Sequence, residues 1–404
     1  MTTNLDQHRA NRRAKFTILS FAAIFFTYTF FSFNFNPNIF IPNNKLKSTS
    51  PTLVHNPILV LQEEPIIIQQ YSKNLDHLIP KNQTLKNNQQ LPQFLDIFNS
   101  NHEFETRVDE FFKHSCKLRF FMTWIKSSRS SNSNLFGPRE FLAMDALFKS
   151  NPDGCLIILS NTMDSDHGFQ ILKPVIDLGF RVQAIEPDYN FLFKNTPAKN
   201  WYKRIKNGSR DPGEIPLAQN LSNLIRLVVL YRYGGVYLDT DFIPLNDFNG
   251  LRNSIGAQSV DQFGNWTRLN NAVLVFDKKH PLLYRFIEEF ASTFDGNRWG
   301  FNGPYLVSRV VERGGGKLEN KFSVLPPAAF YPVGWGRIGG LFRRPVDRRD
   351  RRWVEAKVVK LKEGSYGVHL WNKQSKRLRI EEESIVARLV SEHCVVCSRL
   401  TPNF

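Results

Sequence analysis

The sequence predicts an α/β chain: a mixed, mostly parallel sheet flanked by helices, preceded by one transmembrane helix and a stem. Three observations carry this. An uncharged apolar run occupies 16–33 behind a basic tip. A long Asn-, Gln- and Pro-rich stretch without a sustained period follows it. Beyond about residue 115, short apolar runs alternate with amphipathic ones, as parallel strands covered by helices require. The chain has 404 residues, 42% hydrophobic and 22% charged. Such ordinary values exclude wholesale disorder and a polytopic membrane protein. Four cysteines exclude a disulfide-built scaffold.

Residues 1–15 carry Arg9, Arg12, Arg13 and Lys15 against Asp6, which predicts a cytosolic tail. The run Phe16–Phe33 spans about 27 Å as a helix, enough for a thin bilayer. No small-x-small cleavage site follows, so it reads as a signal-anchor rather than a cleaved leader. The expectation is a single-pass type II protein of the secretory pathway with a lumenal body. Residues 34–115 bury too little to offset their ordering entropy and read as the stem. Asn82-Gln83-Thr84, Asn207-Gly208-Ser209 and Asn265-Trp266-Thr267 are glycosylation sequons. Asn220-Leu221-Ser222 also matches, but it lies in a helical pattern, where asparagine is a poor acceptor.

The body, 116–404, opens with a strand at Leu118–Trp124. Pro138–Lys149 reads as a helix after Gly137. Cys155–Ser160 follows a Pro-Asp-Gly turn and reads as a buried parallel strand, and Phe180–Ile185 as another. Leu217, Leu221, Leu224, Val228 and Tyr231 give residues 217–232 a helical period. Gly234-Gly235 ends that helix, and Val236–Leu238 is the next strand.

Asp239-Thr240-Asp241 closes this strand, and ligands of open α/β sheets collect beyond such strand ends. Paired carboxylates with no Cys or His beside them suit a hard divalent ion, Mn²⁺ or Mg²⁺. An EF-hand is excluded, because the places for its later ligands hold Ile243, Pro244 and Gly250. Asn220, Asn223 and Arg226 form a polar strip at i, i+3, i+6 on the preceding helix, opposite its packing stripe. An arginine there can hydrogen-bond a sugar or a phosphate. Alone, Asp-x-Asp is a weak signal whose bland reading is an acidic turn. The bland reading of the strip is a solvated helix face.

Leu217–Ile243, with helix, Arg226, Gly-Gly turn, strand and Asp-x-Asp in that order, resembles glycosyltransferase family 32. The similarity is to its plant members and to α-1,4-galactosyltransferases and α-1,4-N-acetylglucosaminyltransferases, and runs from about Leu118 to the C-terminus. It implies a GT-A fold, a UDP-sugar donor, retention of anomeric configuration and a type II Golgi protein. It implies that Asp239 and Asp241 hold Mn²⁺ and the donor diphosphate. Related transferases often carry Asp three residues before the helix Arg. Here that place is Asn223, which leaves the donor open between UDP-galactose and UDP-N-acetylglucosamine.

The resemblance further implies that Trp124 stacks on uracil and that Asn271, in Leu269–Val273 before a strand, is a sugar-site amide. It implies that Asn302, in Phe301–Pro304, opens a helix whose free N–H groups meet substrate oxygens. Val368-His369-Leu370-Trp371-Asn372-Lys373 is similar to a C-terminal loop that closes over the diphosphate. There His369 is a further metal ligand and Lys373 neutralises phosphate. Core packing or surface polarity is the plain alternative for each. Retention by double displacement needs a carboxylate nucleophile. Asp261 and Asp277 are acidic but have no assigned role, so front-face displacement is the expectation. The acceptor is a glycolipid or another glycan, and the linkage implied is α-1,4.

The rival reading is a non-catalytic lumenal carbohydrate-binding or scaffold protein, against which the intact carboxylates and Arg226 argue. A nucleic-acid binder is disfavoured. Half of the +16 net charge sits in 1–15 and 337–352, whereas such a binder spreads basic charge over a face. The run Arg343–Arg352 is expected to be a solvated loop. Disulfides are expected for Cys116, Cys155, Cys394 and Cys397, and the sequence leaves three pairings open.

Overall fold

The computed structural model describes residues 104–113, 116–126, 136–314 and 322–396. The tail, the apolar run 16–33, most of the stem, Asn82 and Cys397 lie outside them. Among the described residues no helix is long and apolar enough to cross a membrane.

Seven strands form the main sheet: β1 (Leu118–Trp124), β2 (Gly154–Ser160), β3 (Arg181–Ile185), β4 (Gly235–Leu238), β6 (Ser254–Val260), β7 (Trp266–Phe276) and β8 (Ser323–Leu325). Their order is β3-β2-β1-β4-β7-β6-β8. Only β7 runs against its neighbours; the other pairings are parallel. The predicted mixed, mostly parallel sheet is therefore present. β5 (Phe242–Pro244) and β9 (Gly367–His369) make a separate antiparallel ladder.

Apolar residues fill both faces, as parallel strands require. Along β2, Leu156 and Ile158 enter one core while Cys155, Ile157 and Leu159 enter the other. The helices Pro138–Ser150 and Asp166–Ile176 cover the first face, and Leu217–Tyr233 and Pro281–Thr293 the second. Cys116 and Cys155 form a disulfide between the start of β1 and β2, which settles the pairing the sequence left open. Cys394 is disulfide-bonded as well.

Four local readings change. The helix Phe104–Phe112 falls inside 34–115 yet packs into the body, burying Phe104, Val108, Phe111 and Phe112. Its apolar spacing is short and was masked by the polar stretch around it. Leu269–Val273 does not precede a strand; it lies inside β7, where Leu269 and Asn270 pair with β6, the register shifts, and pairing with β4 begins at Val273. Arg348–Arg352 is not loop but the start of the helix Arg348–Gly364, capped by Asp347, whose Oδ1 accepts from Asp350 N at 2.8 Å. Residues 368–373 are the end of β9, a turn and the short helix Asn372–Ser375.

At the end of the helix Leu217–Tyr233 the chain must reverse into β4 against two other backbones. Gly234 has φ 67° and Gly235 φ 111°. A Cβ on Gly235 would lie 2.3 Å from Arg119 O in neighbouring β1. Gly235→Ala should therefore cost about 2–4 kcal/mol, combining a disfavoured φ with a backbone clash, and lower the thermal midpoint. An unchanged midpoint would refute that account. Asn207 and Asn265 are exposed, whereas Asn220 is 3% exposed and hydrogen-bonded to Asn302. In a secretory host, Asn207→Gln and Asn265→Gln should each remove one glycan by intact mass, and Asn220→Gln none.

Candidate active site

After β3 the chain crosses to the other side of β1 to make β4. This reversal opens a crevice at the carboxyl ends of β1 and β4, the place where such sheets receive ligands. Asp239 and Asp241 lie there. Asp239 N donates to Ala272 O at 2.9 Å, and Phe242 N to Asp239 O at 3.0 Å, which folds the motif into a turn.

The β5–β9 ladder supplies the third group. Its register sets Phe242 opposite His369, and Leu370 N donates to Asp241 O at 2.8 Å. Asp239, Asp241 and His369 consequently each offer a ligand atom within 4.8 Å of one another. His369 Nε2 lies 3.3 Å from Asp241 Oδ1 and 4.0 Å from Asp239 Oδ2.

Each carboxylate is tied by its other oxygen. Asp239 Oδ1 receives Arg226 Nη1 at 3.0 Å and the Tyr237 hydroxyl at 2.8 Å. Asp241 Oδ2 accepts from Asn372 N at 2.7 Å. Orientation by such outer partners is how metal and phosphate sites fix their ligands. Burial opposes ionisation of Asp239, but Arg226, His369 and Tyr237 outweigh it and hold its carboxyl below the usual range. Burial would lower the His369 pKa. Asp241 and Asp239 overcome that and raise it.

Arg226 is itself locked. Its Nη1 donates to Asn271 O at 2.8 Å, its Nε to Ser222 O at 3.2 Å and its Nη2 to Ser222 Oγ at 3.1 Å. Its guanidinium stands 4.4 Å over the Tyr237 ring. Thr123 Oγ1 bridges Ser222 Oγ at 2.5 Å and the Tyr237 hydroxyl at 2.7 Å. The helix strip is thus no solvated face: Arg226 is 5% and Asn220 3% exposed. The helix packs on both sides, its polar strip against a polar layer.

Asn271 Nδ2 donates to Asn223 Oδ1 at 3.0 Å, one link from Arg226. Asn302 Nδ2 donates to Asn220 Oδ1 at 3.0 Å and to Asp295 O at 2.7 Å, a turn further along the helix. Trp371 has φ 55°, donates from Nε1 to Val333 O at 2.8 Å and meets the His369 ring edge-on at 4.5 Å. Lys373 Nζ lies 3.6 Å from the centroid of the half-exposed Trp299 ring. Trp124, at the end of β1, is half-buried and packs edge-on against Phe136 at 5.6 Å. Among the described residues no hydrogen bond or ring contact joins it to the aspartates. Asp261 is held by Phe263 N and Asn265 N in the β6–β7 turn, and Asp277 by Arg252 and Asn253.

Sequence reasoning missed Tyr237, Ser222 and Thr123. The first two were accessible: Tyr237 is two residues before Asp239 on one strand face, and Ser222 is four before Arg226 on one helix face. Thr123 follows only from the β1–β4 pairing.

Residues 137–261 match the family described as "Glycosyltransferase sugar-binding region containing DXD motif". Residues 275–401 match "Alpha 1,4-glycosyltransferase conserved region". The chain is 30% identical over 285 residues to lactosylceramide 4-alpha-galactosyltransferase of Mus musculus, covering 68% of this chain and 73% of that one. It is 28% identical over 224 residues to human alpha-1,4-N-acetylglucosaminyltransferase, covering 51% and 58%. It is 30% identical over 305 residues to an uncharacterized Arabidopsis thaliana protein, covering 73% of this chain but only 45% of that one. With both family regions present around Asp239 and His369, and the mouse relative matched over most of its length, the chain belongs to the DXD-containing alpha-1,4-glycosyltransferase family.

Proposed function

We propose that this chain transfers a hexose or N-acetylhexosamine from a UDP-sugar to a glycolipid or other glycan acceptor, with retention and in α-1,4 linkage. UDP-galactose and UDP-N-acetylglucosamine are the donors suggested by the relatives' names. The proposed setting is the Golgi membrane, as a single-pass type II protein with a lumenal body. One observation carries the reading: the second oxygen of each aspartate and His369 Nε2 converge, while the other oxygen of each aspartate is held by protein.

Two oxygens and one imidazole nitrogen, with no thiolate, fit Mn²⁺ or Mg²⁺. Asp239, Asp241 and His369 would hold the ion. Once bound, it supplies Lewis-acid stabilisation of the departing diphosphate. His369 Nδ1 accepts from Trp371 N at 3.1 Å. Ligation through Nε2 would place the imidazole proton on Nδ1, and Trp371 N would then need another acceptor.

The protein's own groups do the rest. Arg226 keeps Asp239 ionised and aimed, and is itself too enclosed to change partners. Lys373, three residues past the Asp241-bonded Leu370, adds positive charge where the leaving phosphate gathers negative charge. Asn223 and Asn271 present amides for sugar hydroxyls. Asp261 and Asp277 are both engaged in turns, which favours front-face displacement, in which the leaving phosphate takes the acceptor's proton.

UDP release from a panel of UDP-sugars tests the reading. One donor should be turned over with Mn²⁺, and activity should vanish with chelator. Asp241→Asn should lower it about a hundredfold or more, the scale expected when a site's metal affinity is lost. Silence with every donor, together with no Mn²⁺-dependent UDP binding, would leave the non-catalytic carbohydrate-binding reading. A second test uses pH. The carboxylates hold a proton on His369 to higher pH than usual, and the cation must displace it. Mn²⁺ affinity by calorimetry should therefore rise with pH, about tenfold per unit while His369 is protonated, and flatten above its pKa. His369→Gln should abolish that slope; a slope that survives would remove His369 from the site.

A further inference from the structure

Residues 343–360 hold six arginines and two lysines against Asp347, Asp350 and Glu355. The transfer reaction has no use for them. The helix Arg348–Gly364 buries only Val354, Val358 and Leu361. At about 100° per residue these three share one side. The opposite side presents Arg348, Arg349, Arg352, Trp353, Val359 and Lys360, all exposed. Trp353 is 53%, Val359 51% and the preceding Val346 88% exposed.

This face carries two unfavourable features at once. Arg348, Arg349, Arg351 and Arg352 crowd the positive end of a helix, where Asp347 and Asp350 oppose them only in part. Arg351 pairs with Glu383 at 3.3 Å, but Arg348, Arg349, Arg352 and Lys360 have no ion pair among the described residues. Between them, large apolar side chains stand in water. A partner that relieves both features must be anionic and apolar together.

We infer that this face, from Arg343 to Lys360, rests on an anionic lipid bilayer. Arginines would meet lipid phosphates while Trp353, Val346 and Val359 enter the boundary between headgroups and acyl chains. Tryptophan suits that boundary, with an apolar body and a polar N–H. A soluble polyanion would meet the arginines and leave the three apolar residues wet. Contact of this kind would hold the body flat on the membrane independently of any N-terminal anchor. The inference does not depend on the donor, the metal or turnover.

The full chain, placed in nanodiscs of phosphatidylcholine alone or mixed with phosphatidylserine, provides the test. Hydroxyl-radical footprinting reads the exposure of Trp353 and Val346. Oxidation of both should fall several-fold in the anionic discs only. Arg349→Glu with Arg352→Glu should restore it, since each arginine near such a surface is worth about fivefold in affinity. An unchanged thermal midpoint would show that these exposed substitutions leave the fold intact. Trp353→Ala should weaken protection at Val346. Equal oxidation in both discs would overturn the inference. So would full protection by soluble dextran sulfate in neutral discs, or undiminished protection of Val346 in Trp353→Ala, since either reduces the face to plain charge attraction.

Discussion

The site depends on one buried ion pair, Arg226 with Asp239. An arginine 5% exposed is tolerable only with its donors satisfied, and here Ser222, Asn271 O and Asp239 take them. Removing one member of such a pair costs on the order of 3–5 kcal/mol, because a charge is left uncompensated. The pair therefore does two things. It pins the helix Leu217–Tyr233 to the end of β4, and it keeps Asp239 ionised although burial works against it. A carboxylate held that way meets a cation or a phosphate-bound metal without first losing a proton.

From that pair the geometry propagates along the chain. Asp239 anchors the turn, the turn sets Asp241, and Asp241 O begins the pairing that continues the β5–β9 ladder. The ladder delivers His369 from more than a hundred residues away. This is why the two family regions, 137–261 and 275–401, make one centre: the first holds both aspartates and the second the histidine. Trp371 adopts a left-handed conformation directly after the ladder, a strained state for a bulky side chain that its bond to Val333 O holds in place.

Much of this was legible from residue patterns. The strand Leu118–Trp124 and the helix from Leu217 carry strong local signals, a short apolar run and a sustained helical period. Asp239 and Asp241 were readable because a Gly-Gly turn, a four-residue strand and the motif follow in order. What was not legible depends on partners distant in sequence. β7 was misplaced because Asn270 and Asn271 break its apolar run, yet they satisfy the polar layer above Arg226 and Gln258. The burial of the polar strip was not legible, because helical periodicity shows which face is apolar, not whether a polar face is covered. The helix Phe104–Phe112 was hidden in a polar stretch whose composition outweighed four buried residues.

In the proposed reaction the same network would bear on the sugar through Asn223. Its Oδ1 accepts from Asn271 Nδ2, and a Cβ on Gly303 would lie 2.9 Å from that oxygen. The carbonyl end is thus enclosed, and the amide nitrogen is the end left to meet a ligand. An aspartate here would present an acceptor instead, and would add a charge near the ionised Asp239. A donor N–H suits an acceptor on the sugar. A hydroxyl can meet either kind of group, but the carbonyl of an N-acetyl substituent can only accept. Under the proposed transfer, the asparagine would keep both galactose and N-acetylglucosamine within reach, where an aspartate would disfavour the N-acetyl carbonyl by placing two acceptors face to face.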